Sequence, residues 1–191
     1  MQRMVLGRTG LETYRLGLGG IPIQRVSETE AVATVCRALE RGIDFIDTSR
    51  AYTTSERRIG LALKEAGIAA DGRSPRSGGS RRVVLASRTH SKTAEAMRAD
   101  LETSLKELQR DYLDIYMCHF VVDQADYQRV TSPGGALEAL QQARQEGLIG
   151  HIGITSHSLD VLERALDDGL FDVLMVCFSF LEPKAGQTVI P

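Results

Sequence analysis

The sequence predicts a parallel α/β fold of the (β/α)8-barrel type. Short apolar runs alternate with helical patterns that each close at a glycine, and the runs are nearly continuous, as expected of strands buried on both faces. Three segments also resemble one another as helix end, glycine, strand and small polar residues: ERGIDFIDTS, QEGLIGHIGITS and DDGLFDVLMVCFS. Such internal similarity is typical of a repeated βα unit, and this repetition favours a barrel.

Composition and charge exclude several classes of protein. The chain has 191 residues, of which 42% are hydrophobic and 25% charged, and its formal net charge is -2. This charge is too balanced for a nucleic-acid-binding protein, and the hydrophobic content excludes a disordered chain. No apolar run is long enough for a membrane span or a signal peptide. We therefore expect one cytoplasmic domain over residues 1–191, with neither nucleic acid nor membrane as a partner.

The N-terminal segment contains a hairpin, a strand and a helix. The hairpin turns around Gly10, and the first strand of the barrel follows over 15–19. Ser27 and Glu30 form an S-x-x-E capping box, which predicts the start of the first helix. Apolar residues then recur at helical spacing, and the helix is expected to end at Gly42.

The second βα unit follows directly. A strand is predicted over 43–47, and the next helix begins near Ser55 and ends at Gly67. A stretch rich in Gly, Ser and Arg over 71–82 is predicted to be a surface loop, since it offers no apolar periodicity. The third strand covers 83–86.

The third and fourth helices flank the fourth strand. Apolar residues at helical spacing predict the third helix over 97–108, and a strand follows over 113–118. Ser132 and Pro133 read as an N-cap and an N1 proline, so the fourth helix is expected to run from there to Gly147.

Two more strands complete the described pattern. They cover 152–154 and 172–178, and the helix between them is capped by Ser158 and ends at Gly169. The total is six strands, whereas eight βα units take about 250 residues. We therefore expect a barrel truncated to about six βα units behind an N-terminal hairpin. Open strand edges of such a barrel predict self-association or reliance on a partner.

Polar side chains gather at the carboxyl ends of these strands, where α/β barrels place their chemistry. They are Asp47, Tyr52, Arg88, His90, His119, Thr155, Ser156 and His157. A phenol has a pKa of about 10, so Tyr52 would need a nearby cation such as Arg88 to act as an acid near neutrality. Asp47 would hold that cation, and His119 would form a hydrogen bond with a substrate oxygen.

Other interpretations of the same residues stay open. Each of them taken alone is equally consistent with a structural role at a strand end. Asp47, His90, His119 and His157 also suggest a metal-dependent hydrolase on a barrel. The sequence has neither H-x-H nor H-E-x-x-H spacing, however, so we expect no metal.

Four segments resemble the aldo-keto reductase family. VLGRTGLETYRLGLGG is similar to its N-terminal hairpin and first strand, and GIDFIDTSRAYTTSERRIG to its signature G-x-[DN]-x-x-D-[TS]-x-x-x-Y-x-x-[ST]-E-x-x-[IL]-G. DYLDIYMCHF resembles the strand that ends in the family's active-site histidine, and GLIGHIGITS the strand after it. The resemblance covers nearly the whole chain.

The resemblance implies an NADPH-dependent carbonyl reductase acting on a small-molecule carbonyl substrate. Tyr52 would protonate the carbonyl oxygen as hydride arrives, Asp47 would support the cation beside it, and His119 would orient the substrate. Where the family has lysine, this chain has Arg88, and arginine is not a conservative replacement at a tight site. Lys92 is an alternative source of the cation if the loop shifts.

The resemblance also indicates the binding residues. It places Gly20, Thr155 and Ser156 in the cofactor site, whereas Met175 stands where the family has a glutamine and cannot make the same hydrogen bond. Most of that site is expected beyond Pro191.

The loop after the fourth strand predicts the substrate contacts. Phe120, Val121 and Val122 open it and would line an apolar pocket. A second hypothesis is a catalytically inactive binding or regulatory module, or a gene fragment, derived from a reductase. The replacements Arg88 and Met175 favour it.

Overall fold

A computed structural model of the chain describes residues 2–70, 73–74 and 81–190. The strands are β1 (Arg3–Val5), β2 (Glu12–Tyr14), β3 (Leu18–Gly19), β4 (Phe45–Asp47), β5 (Arg73–Ser74), β6 (Arg81–Arg82), β7 (Val84–Thr89), β8 (Leu113–Cys118), β9 (Ile149–Ser156) and β10 (Val173–Val176). The α-helices are α1 (Glu28–Glu40), α2 (Ser55–Glu65), α3 (Ala94–Leu108), α4 (Gln124–Thr131), α5 (Ala136–Gln145), α6 (Leu159–Asp168) and α7 (Ala185–Thr188).

Six parallel strands form one curled sheet, in the order β10-β9-β8-β7-β4-β3. Neighbours in the sheet follow one another along the chain, apart from the short β5–β6 pair, and α1, α2, α3, α5 and α6 lie in the connections. This arrangement confirms the predicted α/β fold, which is consistent with a (β/α)8 barrel truncated to six strands. The antiparallel hairpin of β1 and β2 precedes it, and Gly10 takes the positive φ of 71° that its turn needs.

The sheet separates two apolar layers, because successive side chains of a strand point to opposite faces. Val84, Ala86, Ile115 and Met117 form the small inner cluster, with Leu6 and Leu11 of the hairpin segment packed against it. A much larger cluster lies between the outer face of the sheet and the helices. Both faces of the strands are therefore buried, in agreement with their nearly continuous apolar runs.

An aspartate marks the beginning of three strands at the amino-terminal end of the barrel. Asp44, Asp114 and Asp172 each accept a backbone N–H from a neighbouring strand or hairpin, at 2.9, 2.9 and 3.0 Å. Each carboxylate also pairs with an arginine. Asp44 accepts from Tyr14 and pairs with Arg3. Asp114 accepts from Leu85 and pairs with Arg82, and Asp172 accepts from Ile152 and pairs with Arg144.

Local helix signals are confirmed where the termini are simple. Ser27 and Glu30 form both hydrogen bonds of the capping box, and α2 begins at Ser55 as predicted. Gly67 and Gly169 end their helices with positive φ values of 70° and 63°.

The helix predicted from Ser132 and Pro133 begins later. Gly135 is the N-cap of α5, and Gly134 has a φ of +77°, which an α-helix does not accommodate. Ser132 instead ends α4, the helix that occupies the expected long loop and begins at an Asp123 cap. The serine-proline pair therefore lies in the turn between two helices.

Smaller differences concern the ends of elements. The first barrel strand is limited to Leu18–Gly19, and the fifth begins earlier than expected, at Ile149. Most of the predicted loop over 71–82 lies outside the described residues, but its ends pair as β5 and β6. Across the described ranges, every helix is too short or too polar to cross a lipid bilayer.

Candidate active site

The strand alternation directs three polar side chains into the mouth of the barrel. On β7, Val84 and Ala86 belong to the inner apolar cluster, so Arg88, two residues further on, points to the same side. Phe45 packs against the inner cluster, which gives Asp47 the same orientation on β4. Met117 likewise precedes His119 by two residues. The apolar core thus supports the polar site directly above it.

Arg88 connects Asp47 to Tyr52. Its Nη1 forms a close ion pair with Asp47 Oδ2, and its Nη2 donates a 2.8 Å hydrogen bond to Tyr52 Oη. The side chain of Arg88 is only 6% exposed, so both contacts are shielded from water. We call this group the Asp47–Arg88–Tyr52 relay.

Electrostatics keep Arg88 charged. Burial alone would lower the pKa of Arg88, but the Asp47 carboxylate and the Tyr52 hydroxyl outweigh it and raise that pKa above its ordinary value. Burial raises the pKa of Asp47, against the opposing effect of Arg88. The guanidinium is therefore a permanent cation at the phenol oxygen, which is the position the sequence assigned to it.

A tight turn positions Tyr52. The backbone N–H of Tyr52 donates to Ser49 O at 3.0 Å, and Tyr52 O accepts from Ser55 N, the first residue of α2, at 2.8 Å. Thr53 between them has a φ of 41°, a left-handed conformation that is strained for a β-branched residue. The turn therefore holds Tyr52 between Ser49 and the start of α2.

His119 lies beside the relay. Its ring is 6.1 Å from that of Tyr52 in an edge-on arrangement and 4.2 Å from that of His90, between centroids. Burial, the nearby Arg88 and the other cationic or imidazole groups around it lower the pKa of His119 to about 3. The imidazole is consequently neutral at physiological pH.

Lys92 does not supply the cation at Tyr52. Its Nζ donates to the backbone oxygens of His119 and Phe120, at 3.2 and 3.1 Å, and lies 3.5 Å from Asp126 Oδ2. Arg88 already contacts Tyr52, so no loop shift is needed. Lys92 instead stabilises the turn after β8.

The same turn decides where the predicted substrate contacts lie. Phe120 adopts a left-handed φ of 53° and is 39% exposed, at the mouth of the barrel. Val121 is 0% exposed within the outer apolar cluster, so it offers no surface to a substrate in this conformation. Its backbone donates to Thr155 O and accepts from Ser156 Oγ, which fixes it there. Of the two valines, only Val122 is exposed.

Two of the residues assigned to a cofactor are engaged within the protein. Thr155 Oγ1 accepts the N–H of Phe120 at 2.9 Å and retains its own proton. Ser156 Oγ donates to Val121 O at 2.6 Å and accepts from Ser158 N at 2.9 Å, so its only proton is already used. Met175 pairs in register with Thr155 and packs against the inner apolar cluster.

Gly20 is held by close backbone contacts. Its N–H donates to Asp47 O at 2.7 Å, and its carbonyl accepts from Ser55 Oγ at 2.8 Å. A Cβ at Gly20 would lie 2.6 Å from Ser55 Oγ and 2.9 Å from Thr48 Oγ1. These contacts account for the glycine through packing between β3, β4 and the start of α2.

Two polar residues near the site were not predicted. Glu56, 2% exposed, accepts from Ser87 Oγ at 2.6 Å and forms an ion pair with Arg50, behind the strand that carries Arg88. Ser49 lies 3.0 Å from His119 Nδ1. Both residues belong to the segment GIDFIDTSRAYTTSERRIG, but only the fold shows what they contact.

The imidazoles and Asp47 are not grouped as the ligands of a metal ion would be. Among the described residues, no three His, Cys, Asp or Glu side chains are grouped so that they could hold a metal ion. Asp47 is occupied by Arg88, and His119 Nδ1 by Ser49. The geometry gives the hydrolase alternative no support.

The model of the Aldo/keto reductase family matches residues 13–184. The chain belongs to this family. Its relatives include the L-galactose dehydrogenase of Arabidopsis thaliana, 35% identical over 185 residues, which represent 89% of this chain and 54% of that protein. A methylglyoxal reductase of Salmonella typhimurium is 32% identical over 154 residues, or 81% and 49% of the two chains.

Solved aldo/keto reductases share the fold. An aldo-keto reductase of Bacillus halodurans in its holo form superposes with a TM-score of 0.78 at 25% identity, covering 98% of this chain and 61% of that one. The present aldo/keto reductase chain spans about half the length of the curated relatives described above, 54% and 49%.

Proposed function

We propose that this chain reduces a small-molecule carbonyl compound to an alcohol, with Tyr52 as the proton donor. The observation that carries the proposal is the Asp47–Arg88–Tyr52 relay, in which a shielded guanidinium donates to the phenol oxygen at 2.8 Å. Because Arg88 occupies a lone pair of that oxygen, the phenol proton is free to be donated to a substrate. Membership of the aldo/keto reductase family supports nicotinamide-dependent carbonyl reduction in general.

The chain's own residues divide the chemistry between them. Tyr52 donates its proton to the carbonyl oxygen while the carbonyl carbon is reduced, which leaves a phenolate at Tyr52. Arg88 stabilises that phenolate, since a charge-assisted hydrogen bond strengthens as negative charge develops on its acceptor. Asp47 keeps the guanidinium in place, and Phe120 offers an apolar contact at the mouth of the barrel. Proton exchange with solvent then restores the phenol.

NADPH is the expected reductant, and when bound it supplies the hydride. Part of the chain fits such a group. The Thr155 hydroxyl retains a proton for donation, and Lys184 provides an ammonium group at a cavity of 330 Å³ beside β9 and β10, which Glu182 also lines. Ser156 already donates its proton to Val121 O, and the Met175 thioether has no proton to donate, so neither offers a hydrogen-bond donor to the cofactor. Thr155 and Lys184 are therefore the residues that we assign to the cofactor within this chain.

The proposal is tested on the purified natural protein. NADPH consumption is followed by absorbance with a panel of aldehydes, methylglyoxal and sugars, and the products are identified by mass spectrometry. We expect turnover that disappears in Tyr52→Phe. Turnover that is unchanged in Tyr52→Phe would refute the role of the phenol.

The same assay addresses the alternative of an inactive binding module. Binding of NADPH is measured by fluorescence in wild type and in Arg88→Lys. Binding without turnover in both proteins would favour the binding module. Turnover by wild type, with the relay intact, supports the reductase.

A further inference from the structure

The hydroxyl of Ser49 is surrounded by three hydrogen-bonding partners. Its Oγ lies 3.1 Å from the backbone oxygen of Arg88, 3.1 Å from the backbone nitrogen of Ala51 and 3.0 Å from His119 Nδ1. Ser49 is 1% exposed, so water does not replace any of the three. The contacts join the turn after β4 to β7 and to the end of β8.

Only one distribution of protons satisfies all three contacts. A backbone oxygen can only accept, so Ser49 Oγ–H must donate to Arg88 O. A backbone N–H can only donate, so Ala51 uses one lone pair of Ser49 Oγ. The hydroxyl has no second proton, and the remaining contact requires His119 Nδ1–H to donate to Ser49. Arg88 O also accepts from Arg50 N at 2.9 Å, which is within the capacity of a carbonyl oxygen.

This distribution determines what His119 presents to the site. A neutral imidazole carries one proton, so protonation at Nδ1 leaves a lone pair on Nε2. The lowered pKa, about 3, keeps the ring neutral at physiological pH. Within the described parts of the chain, the hydrogen bonds of the His119 ring are limited to Nδ1, and Nε2 is left for a ligand.

We propose that Ser49 is a positioning residue that holds His119 in the Nδ1–H tautomer, so that Nε2 accepts a hydrogen bond from a substrate hydroxyl and does not donate to the carbonyl oxygen. The inference rests on the proposed function only for the presence of a carbonyl substrate. It divides the recognition of two oxygens: Tyr52 donates to the carbonyl oxygen, and His119 accepts from a hydroxyl of the substrate or of the alcohol product. It also makes His119 the acceptor in the hydrogen bond to a substrate oxygen that the sequence predicts.

The tautomer is measured by long-range ¹H–¹⁵N correlation NMR of the chain without cofactor or substrate. The sequence has only 4 histidines, and His119→Asn identifies the relevant signal. We expect a protonated, pyrrole-type nitrogen at Nδ1 and a pyridine-type nitrogen at Nε2. A pyrrole-type signal at Nε2 in wild type would overturn the proposal.

Two hydroxyl deletions separate positioning from packing. Ser49→Ala removes the acceptor of Nδ1–H, and we expect the ring to shift toward the Nε2–H tautomer. Thr48→Val is the matched control, because the Thr48 hydroxyl bonds to Ser55 and not to His119. A tautomer that is unchanged in Ser49→Ala contradicts the assignment. Since the spectra need no turnover, a failure of the proposed reduction leaves this result interpretable, and wild type alone decides if Ser49→Ala does not fold.

Discussion

Arg88 Nη2 lies 2.8 Å from Tyr52 Oη, while Nη1 of the same guanidinium pairs with Asp47. Two nitrogens of one rigid, planar group thus serve two partners at fixed relative positions. A lysine would have to serve both from a single nitrogen. Where the resemblance implies a lysine, the arginine of this chain keeps the positive charge and contacts the two partners through separate nitrogens.

Tyr52→Phe removes the proposed proton donor. We expect carbonyl reduction to fall by about 10² to 10⁴-fold, the usual contribution of a positioned general acid, with little loss of stability. The measurement is kcat with the best aldehyde of the panel, together with a urea unfolding curve. Tyr127→Phe is the matched control, because Tyr127 Oη donates to Asp168 at 2.9 Å, away from the relay. Equal losses in the two variants would contradict the assignment.

Arg88→Met leaves the Asp47 carboxylate buried without its cation. We expect a loss of about 3 kcal/mol in the free energy of unfolding, as for other broken buried pairs. Adding Asp47→Asn to Arg88→Met removes the unpaired charge, so the double variant is expected to recover part of that loss. Urea unfolding of wild type, Arg88→Met, Asp47→Asn and the double variant measures the coupling. Strictly additive effects would show that the pair contributes nothing.

Arg88→Lys is expected to retain part of the activity. The ammonium keeps the positive charge near Tyr52, and it removes the Arg88 Nε–H, which has no hydrogen-bond partner among the described residues. We therefore expect stability close to wild type and a reduced kcat. A Lys variant as inactive as Arg88→Met would show that the planar guanidinium is required.

His119 makes stability sensitive to acid. Its pKa is about 3 in the folded chain, and histidine has a pKa of about 6.5 when unfolded. Between these values the unfolded state binds more protons, so the free energy of unfolding falls as the pH falls from 6.5 toward 3. The slope of the free energy of unfolding against pH is proportional to the number of protons taken up on unfolding. We expect this number to be smaller in His119→Gln by a fraction of one proton, since the His119 ring is partly exposed. Urea unfolding at pH 7 and pH 5 measures it.

Salt provides a control for the acid experiment. Burial is the largest cause of the His119 shift, and salt screens charges without changing burial. Most of the difference between wild type and His119→Gln should therefore persist at high salt. If the free energy of unfolding changes equally with pH in wild type and His119→Gln, the pKa of His119 is not lowered in the folded chain.

Gly20→Ala tests the packing beside Asp47. A Cβ there would clash with Ser55 Oγ and Thr48 Oγ1, so we expect a loss of about 1–3 kcal/mol, measured by thermal and urea unfolding. Gly19→Ala is the matched control, because nothing lies within 4 Å of a Cβ at that position. If both substitutions have the same effect, the close contact at Gly20 is not important.

The sequence was sufficient to predict the barrel strands and the residues at their carboxyl ends. Apolar runs, capping boxes and terminal glycines are local signals, and the strand alternation then determines that Asp47 and Arg88 face the same interior. Tyr52 lies in a turn, so its contact with Arg88 was a hypothesis from the chemistry of a phenol and a cation and not from the strand pattern. Helix α4 was missed because its cap, Asp123, lies in the segment that was expected to be a loop. The extended Ser132 and Gly135, together with the positive φ of Gly134, separate it from α5.

Contacts between distant segments could not be predicted. Ser49 and His119 are 70 residues apart, and nothing in either segment alone indicates their hydrogen bond. The burial of Val121 depends on hydrogen bonds to Thr155 and Ser156, which belong to another strand. Val121 was expected to line a substrate pocket because it is apolar and follows His119, whereas the fold buries it in this conformation.

The aspartates at the beginnings of β4, β8 and β10 carry information that the apolar strands lack. A strand that is hydrophobic on both faces looks almost the same after a slip of one residue, so its pattern alone does not define its alignment with its neighbours. If β8 slipped by one residue, Asp114 would lose the Leu85 N–H and Arg82. Its carboxylate would then be buried without a compensating partner, which is energetically costly. Three carboxylates at the base of the barrel thus specify the vertical alignment of the strands. The distance between Arg88 and Tyr52 at the opposite end depends on that alignment.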